Sequence, residues 1–312
     1  MRRFELVLAL VAGALAGCQG SDQTPGPQTT RPAGTPPVAS KPAAGFDAQR
    51  AWRDLRTQVR IGPRPAGSAA SSQEVSLIVK RLREAGVRRP HVQRPYRNVI
   101  ASIPGDPGAT VVVAAHHDTK DIPGFVGAND GASGVAVLLE LARGLPRRLD
   151  GPSIDLVFFD AEEPRDDRPF DLDGARGSRQ FVRDARRGGA DGSPPLDEIR
   201  AMVLFDLVGD CELAIPREES SDPGLYAQFA DAAQKLTGTD APFVGSGPPV
   251  LDDHSAFLSA GVPSVDLIDF DFGPGPTPGS YWHTLDDNLR HVCRRSLAAV
   301  GNPALEALQA IR

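Results

Sequence analysis

The chain is predicted to be an α/β protein, a single domain with a central mixed, largely parallel β-sheet sandwiched between helices. Three observations lead there. The runs Val111 to Ala115, Ile154 to Phe159 and Ala201 to Phe205 are apolar without strict alternation, the pattern of strands buried on both faces. Segments of helical periodicity lie between them, so strands and helices alternate along the chain. Each run is followed by acidic residues or histidines, which places polar chemistry where α/β sheets carry their sites.

The N-terminal segment is read as targeting rather than fold. Arg2 and Arg3 precede an apolar stretch from Leu6 to Leu15 that is too short to span a bilayer comfortably. Leu15-Ala16-Gly17-Cys18 resembles a bacterial lipobox, which implies a signal peptide over residues 1–18 and a lipid on Cys18. The alternative is a plain secretory signal with an incidental cysteine. Residues 19–45 are rich in Pro, Gly, Ser and Thr, bury too little to offset the entropy of ordering, and are expected to form a disordered tether. The protein is thus expected to be exported and anchored to a bacterial membrane, on its periplasmic or extracellular face, only through Cys18. Residues 46–312 are expected to be the catalytic domain.

Within that domain, Phe46, Trp52, Leu55 and Val59 predict an amphipathic helix ending before Gly62-Pro63. Val75, Ile78, Val79 and Leu82 predict a second, stopped by Gly86. Strands follow over Arg97 to Ile103 and Val111 to Ala115, read as joined by a hairpin loop. Helices are predicted over Gly134 to Gly144, Arg176 to Arg186 and Asp222 to Leu236. Further strands fall at Ile154 to Phe159, Ala201 to Leu207 and Ser264 to Ile268. A closing helix from Asp287 to Ile311 is expected to break or kink near Pro303. The connections Glu163 to Ala175 and Phe270 to Trp282, both long and rich in Pro, Asp and Gly, are expected to wall a site.

The 312 residues, 40% of them apolar, suffice for one full core. A formal net charge of -6, from 34 basic and 40 acidic residues, leaves no basic surplus for nucleic acid. A monomer is expected. With Cys18 assigned to lipid, only Cys211 and Cys293 remain; export permits them to pair, but their spacing says nothing about distance, and two buried free thiols is the favoured reading.

His116, Asp130, Glu163, Asp206 and His283 are all zinc-compatible ligands at or near predicted strand ends. One histidine there is ordinarily a hydrogen-bonded core residue and one aspartate a helix cap, but five such positions weigh against that reading. Glu162 and Glu163 are adjacent carboxylates that repel unless a cation or shared proton intervenes. One can bind metal while the other stays free as general acid or base.

The segments Ala114-Ala115-His116-His117-Asp118-Thr119-Lys120, Asn129-Asp130, Asp160-Ala161-Glu162-Glu163, Asp206-Leu207-Val208-Gly209, Asp252-Asp253-His254 and Trp282-His283-Thr284 follow in the order of the motifs of the zinc-dependent aminopeptidase and glutaminyl cyclase superfamily. The chain resembles that superfamily from Gly62-Pro63-Arg64 onward. The resemblance implies an enzyme acting on peptide N-termini. As a glutaminyl-peptide cyclotransferase it would hold one zinc on Asp130, Glu163 and His283, with Glu162 as proton shuttle. As an aminopeptidase it would hold two, with His116 and Asp206 completing the second site. In that second site, Asp118 would orient His116.

Trp282 before the metal-binding His283, and Asp252 before Asp253-His254, resemble the cyclases, as do Thr119-Lys120 and Phe125-Val126-Gly127. Trp282 and Asp206 would then contact substrate, and Asp252 would assist Glu162. Asn129-Asp130-Gly131-Ala132-Ser133-Gly134 is closer to the peptidases, as is the short loop between Asp118 and Asp130. The structural alternatives are that Trp282 only packs and that Asp252 and Asp253 cap the helix through Leu258. A third reading, a metal-binding surface lipoprotein without catalysis, leaves Glu162 without a role.

Overall fold

A computed structural model describes residues 45–87, 89–166 and 168–312; the lipobox at Cys18 and nearly all of the tether lie outside them. The strands are β1 (His91–Val92), β2 (Val99–Ile103), β3 (Asp106–His116), β4 (Pro152–Phe159), β5 (Ile199–Asp206), β6 (Arg217–Glu218), β7 (Ser246–Gly247) and β8 (Ser264–Ile268). The α-helices are α1 (Ala48–Ile61), α2 (Ala69–Glu84), α3 (Ala132–Gly144), α4 (Phe170–Asp173), α5 (Arg176–Arg186), α6 (Pro223–Thr237), α7 (His254–Leu258) and α8 (Arg294–Ala310). Six strands form one sheet in the order β1-β2-β4-β3-β5-β8, with β4, β3, β5 and β8 parallel and β1 and β2 antiparallel at one edge. Strands β6 and β7 make a separate small pair.

The apolar runs are continuous because both faces of the sheet are covered. Side chains alternate between faces with a period of two. Val111, Val113, Phe158, Val203 and Phe205 point into the larger core under α1, α2, α3, α6 and α8. Val112, Ala114, Phe159, Met202 and Leu204 meet α5 and α7 on the other side. Caps set the helix starts: Asp47, Ser68 and Asp222 each accept a backbone N–H three residues on, at 3.0, 2.9 and 2.9 Å.

Three expectations are corrected. Strands β2 and β3 do not form a hairpin, because β4 lies between them and pairs with both. Both β3 and β4 are apolar on both faces and need a neighbour on each side, whereas β2 lies toward the edge and leaves Ser102 exposed. The closing helix starts at Arg294 rather than Asp287, because Asp287 turns inward and Cys293 is bonded elsewhere; it is unbroken at Pro303. Cys211 and Cys293 are not free thiols but a disulfide, with Cα atoms 4.7 Å apart. Their proximity comes from a local antiparallel contact, in which Cys293 N–H donates to the Gly209 carbonyl at 2.8 Å and Cys211 N–H to that of His291 at 3.1 Å.

Candidate metal centre

The parallel strands end together, and the polar residues after them converge. His116 ends β3 and Asp206 ends β5. Asp130 precedes α3, Glu162 and Glu163 follow β4, Asp252 precedes α7, and Trp282 and His283 close the long loop after β8. All of these but His116 line a pocket of about 370 Å³. Pro164, Asp166, Arg168 and Phe170 from one long connection and Phe270 and Trp282 from the other line it, so both connections are walls as expected.

Two triads share Asp130. His116 Nε2 lies 3.2 Å from Asp130 Oδ1 and 3.2 Å from Asp206 Oδ1. His283 Nε2 lies 3.4 Å from Asp130 Oδ2 and 3.0 Å from Glu163 Oε1. In each triad, His116/Asp130/Asp206 and Asp130/Glu163/His283, one atom per residue falls within 4.8 Å of the others. His116 is buried and lines no part of the pocket, whereas the His283 side chain is 20% exposed and does.

The backbone around these residues is unusual. Ala161, Leu207 and His283 all adopt left-handed φ angles, of 60°, 47° and 53°, without being glycine. Such conformations cost roughly 1–3 kcal/mol each and persist only where surroundings enforce them. For the Glu162 turn, the N–H groups of Ala175 and Arg176 donate to the carbonyls of Glu162 and Ala161 at 2.8 and 3.0 Å. Gly131 is required on steric grounds: a Cβ there would stand 2.7 Å from the His116 carbonyl oxygen.

Asp118 does less for His116 than expected. Its Oδ1 is 3.7 Å from His116 Nδ1, and its carboxylate instead accepts the N–H groups of Glu162 and Glu163 at 3.1 and 3.3 Å. Sequence reasoning missed Asp287, whose two oxygens accept the N–H groups of Asn129 and Asp130 at 2.6 and 3.0 Å. It also assigned no role to Arg64, which is buried and donates to the carbonyls of Val126 and Gly127, at 2.8 and 3.3 Å, in the loop leading to Asp130. The acidic pair Asp286-Asp287 shortly after His283 was the available signal. Trp282 both lines the pocket and stacks on His283, with ring centroids 3.8 Å apart, and Phe270 packs edge-on against it at 5.2 Å. Asp253 stands at the start of α7 but makes no side-chain capping bond there.

The charge balance calls for a cation. Asp130, Glu163 and Asp206 crowd two imidazoles, and the neighbouring ammonium, Lys120 Nζ, is 3.8 Å from Glu163. Burial opposes charge on His283, but its hydrogen bonds to Asp130 and Glu163 prevail and push it up to about 10. Burial, then the charge of Glu163, raises the Glu162 carboxyl well above the usual range, with Asp252 and Asp253 adding to it. His116 Nδ1 is buried without a hydrogen-bond partner. Imidazole nitrogen and carboxylate oxygen in compact threes form a donor set that zinc takes, so the residues fit the metal.

A parallel sheet edge carrying two such triads around one aspartate defines a metalloenzyme. The chain belongs to peptidase family M28, whose model matches residues 98–308. It is 28% identical to the glutaminyl-peptide cyclotransferase of Bos taurus over 299 residues, which cover 82% of this chain and 80% of that one. Among solved structures, the glutaminyl cyclase of an Acidobacteriales bacterium superposes with a TM-score of 0.75 at 32% identity, covering 89% of this chain and 99% of that one. A Zn-dependent exopeptidase from Parabacteroides distasonis superposes at 0.71 with 26% identity, over 85% and 98%.

Proposed function

We propose that this enzyme cyclises the N-terminal glutamine of peptides to pyroglutamate with release of ammonia, using a single zinc held by Asp130, Glu163 and His283. One observation carries the single-zinc reading: of the two triads, only this one lies wholly on the pocket wall, while His116 is buried behind it, held between Asp130 and Asp206. When bound, zinc supplies a Lewis acid for the side-chain amide carbonyl.

The residues of the chain do the rest. Glu162 takes a proton from the α-amine as its nitrogen bonds to the amide carbon. It returns a proton to the departing amide nitrogen as that bond breaks, so a lactam and one ammonia leave and Glu162 is restored. Asp252, buried nearby with one oxygen unpartnered, faces the same proton traffic. Trp282 and Phe270 give the glutamine stem an apolar wall.

The zinc-loaded full chain should convert a Gln-initiated peptide with loss of ammonia and leave a Leu-initiated peptide intact. Glu162→Gln should slow turnover by about 10²–10⁴-fold with zinc retained, and an unchanged rate would refute the mechanism. The intact second triad favours a second reading, a two-zinc aminopeptidase. Release of free leucine without ammonia would establish that one instead. The binding-module reading gives Glu162 no purpose.

A further inference from the structure

A groove of about 750 Å³ lies away from the pocket and shares no lining residue with it. It runs along the outer face of α1 against the end of α2 and of α3, and six arginines line it: Arg50, Arg53, Arg56, Arg60, Arg81 and Arg143. Only Asp54 and Glu84 oppose them in the lining. Arg81 and Arg143 both bond Asp54, at 2.8 and 2.6 Å, and Arg50 bonds Glu140. Arg53, Arg56 and Arg60 are exposed, and among the described residues no carboxylate pairs with them. The helical spacing of these three puts them on one side of α1, whose inner side carries the buried Ala51, Leu55 and Gln58. A concentrated cationic face on a chain of net charge -6 is a local feature, not an average one.

We infer that this groove docks the body on an anionic lipid surface. The position of the groove argues for a membrane. The chain joins the body at Phe46 and Asp47, in the turn leading into α1, where Asp47 N–H donates to Glu140 at 3.2 Å. Glu140 belongs to the last turns of α3, whereas Asp130 stands just before its first, so the upstream segment attaches at the end remote from the metal centre. From Ala132 to Arg143 that helix rises about 16 Å. If Cys18 carries lipid, only residues 19–45 separate the lipid from the point where the chain enters the body. The outer face of α1 is a cationic surface beside that point. Orientation rests on the lipid-anchor reading; attraction to anionic lipid does not.

The test uses the full chain with Cys18→Ser, which blocks lipidation, on vesicles of neutral lipid and of neutral lipid with anionic phosphatidylglycerol. Binding should favour the anionic vesicles and fall with added salt. Since one basic side chain near an anionic surface is worth roughly five-fold in partition, adding Arg53→Glu, Arg56→Glu and Arg60→Glu should weaken it by roughly 100-fold or more. Thermal unfolding and turnover of a soluble Gln-peptide should be unchanged in that variant. Equal partition of the variant and its parent, or no preference for anionic vesicles, would overturn the inference. Binding to soluble polyphosphate with no vesicle binding would overturn it in favour of a polyanion partner. The mass of the mature N-terminus isolated from cells reports lipid on Cys18 separately, so failure of the anchor and failure of the groove are distinguishable.

Discussion

Removing the Cys211–Cys293 bridge tests how the far wall of the metal centre is held. The bridge closes a loop over a sequence separation of 82, joining the turn after Asp206 to the segment after Asp287. In the chain-entropy account, a loop of that length removes about 4.5 kcal/mol of freedom from the unfolded chain at 25 °C. The native contact survives without it, because the hydrogen bonds from Cys293 to Gly209 and from Cys211 to His291 remain. The double substitution Cys211→Ser, Cys293→Ser should therefore lose up to about 4.5 kcal/mol in guanidinium unfolding and lower Tm by about 10 °C. The unsubstituted protein in strong reductant should unfold along the same curve as the double variant. A loss below about 1 kcal/mol, or a reductant-insensitive midpoint, would refute the reasoning.

Two further perturbations probe the buried charges. Asp287→Ala strips the acceptor from the Asn129 and Asp130 N–H groups, so zinc affinity measured against a chromophoric chelator should fall by about 10–100-fold; an unchanged affinity would mean that Asp130 is held by its loop alone. Glu74 is buried without a hydrogen bond, its carboxylate 4.0 Å from Arg64, and burial pushes it up to about 7 from an ordinary 4.5. Because the folded state binds that proton more tightly than the unfolded chain, stability is lost as pH rises from 4.5 to 7, by about 3 kcal/mol at most. The stability of the native protein relative to Glu74→Gln should decline across this window, and a pH-independent difference would contradict it.

The core strands were legible because strands buried on both faces leave a mark in each residue: β8 and α5 occur over the predicted residues, and β3, β4 and β5 extend the predicted runs by a few residues. The two candidate triads were legible because chemistry narrows the choice of residue at a strand end. What was hidden depended on contacts between distant segments. Pairing of β4 between β2 and β3, the disulfide, and the inward turn of Asp287 join residues far apart in sequence, and no local pattern encodes them. Asp118 shows the same limit, since its neighbour in sequence was the obvious partner and the backbone of Glu162 and Glu163 the actual one.

Asp130 belongs to both triads, and that sharing bears on how such a site changes over generations. A catalyst of one reaction and a catalyst of the other can carry the same ligands, so the passage between them requires no ligand to be gained or lost. Leu251, Phe270 and Trp282 line the pocket without belonging to either triad, so they can vary while both triads stay whole. New specificity can therefore be tried in this scaffold without first dismantling the old chemistry.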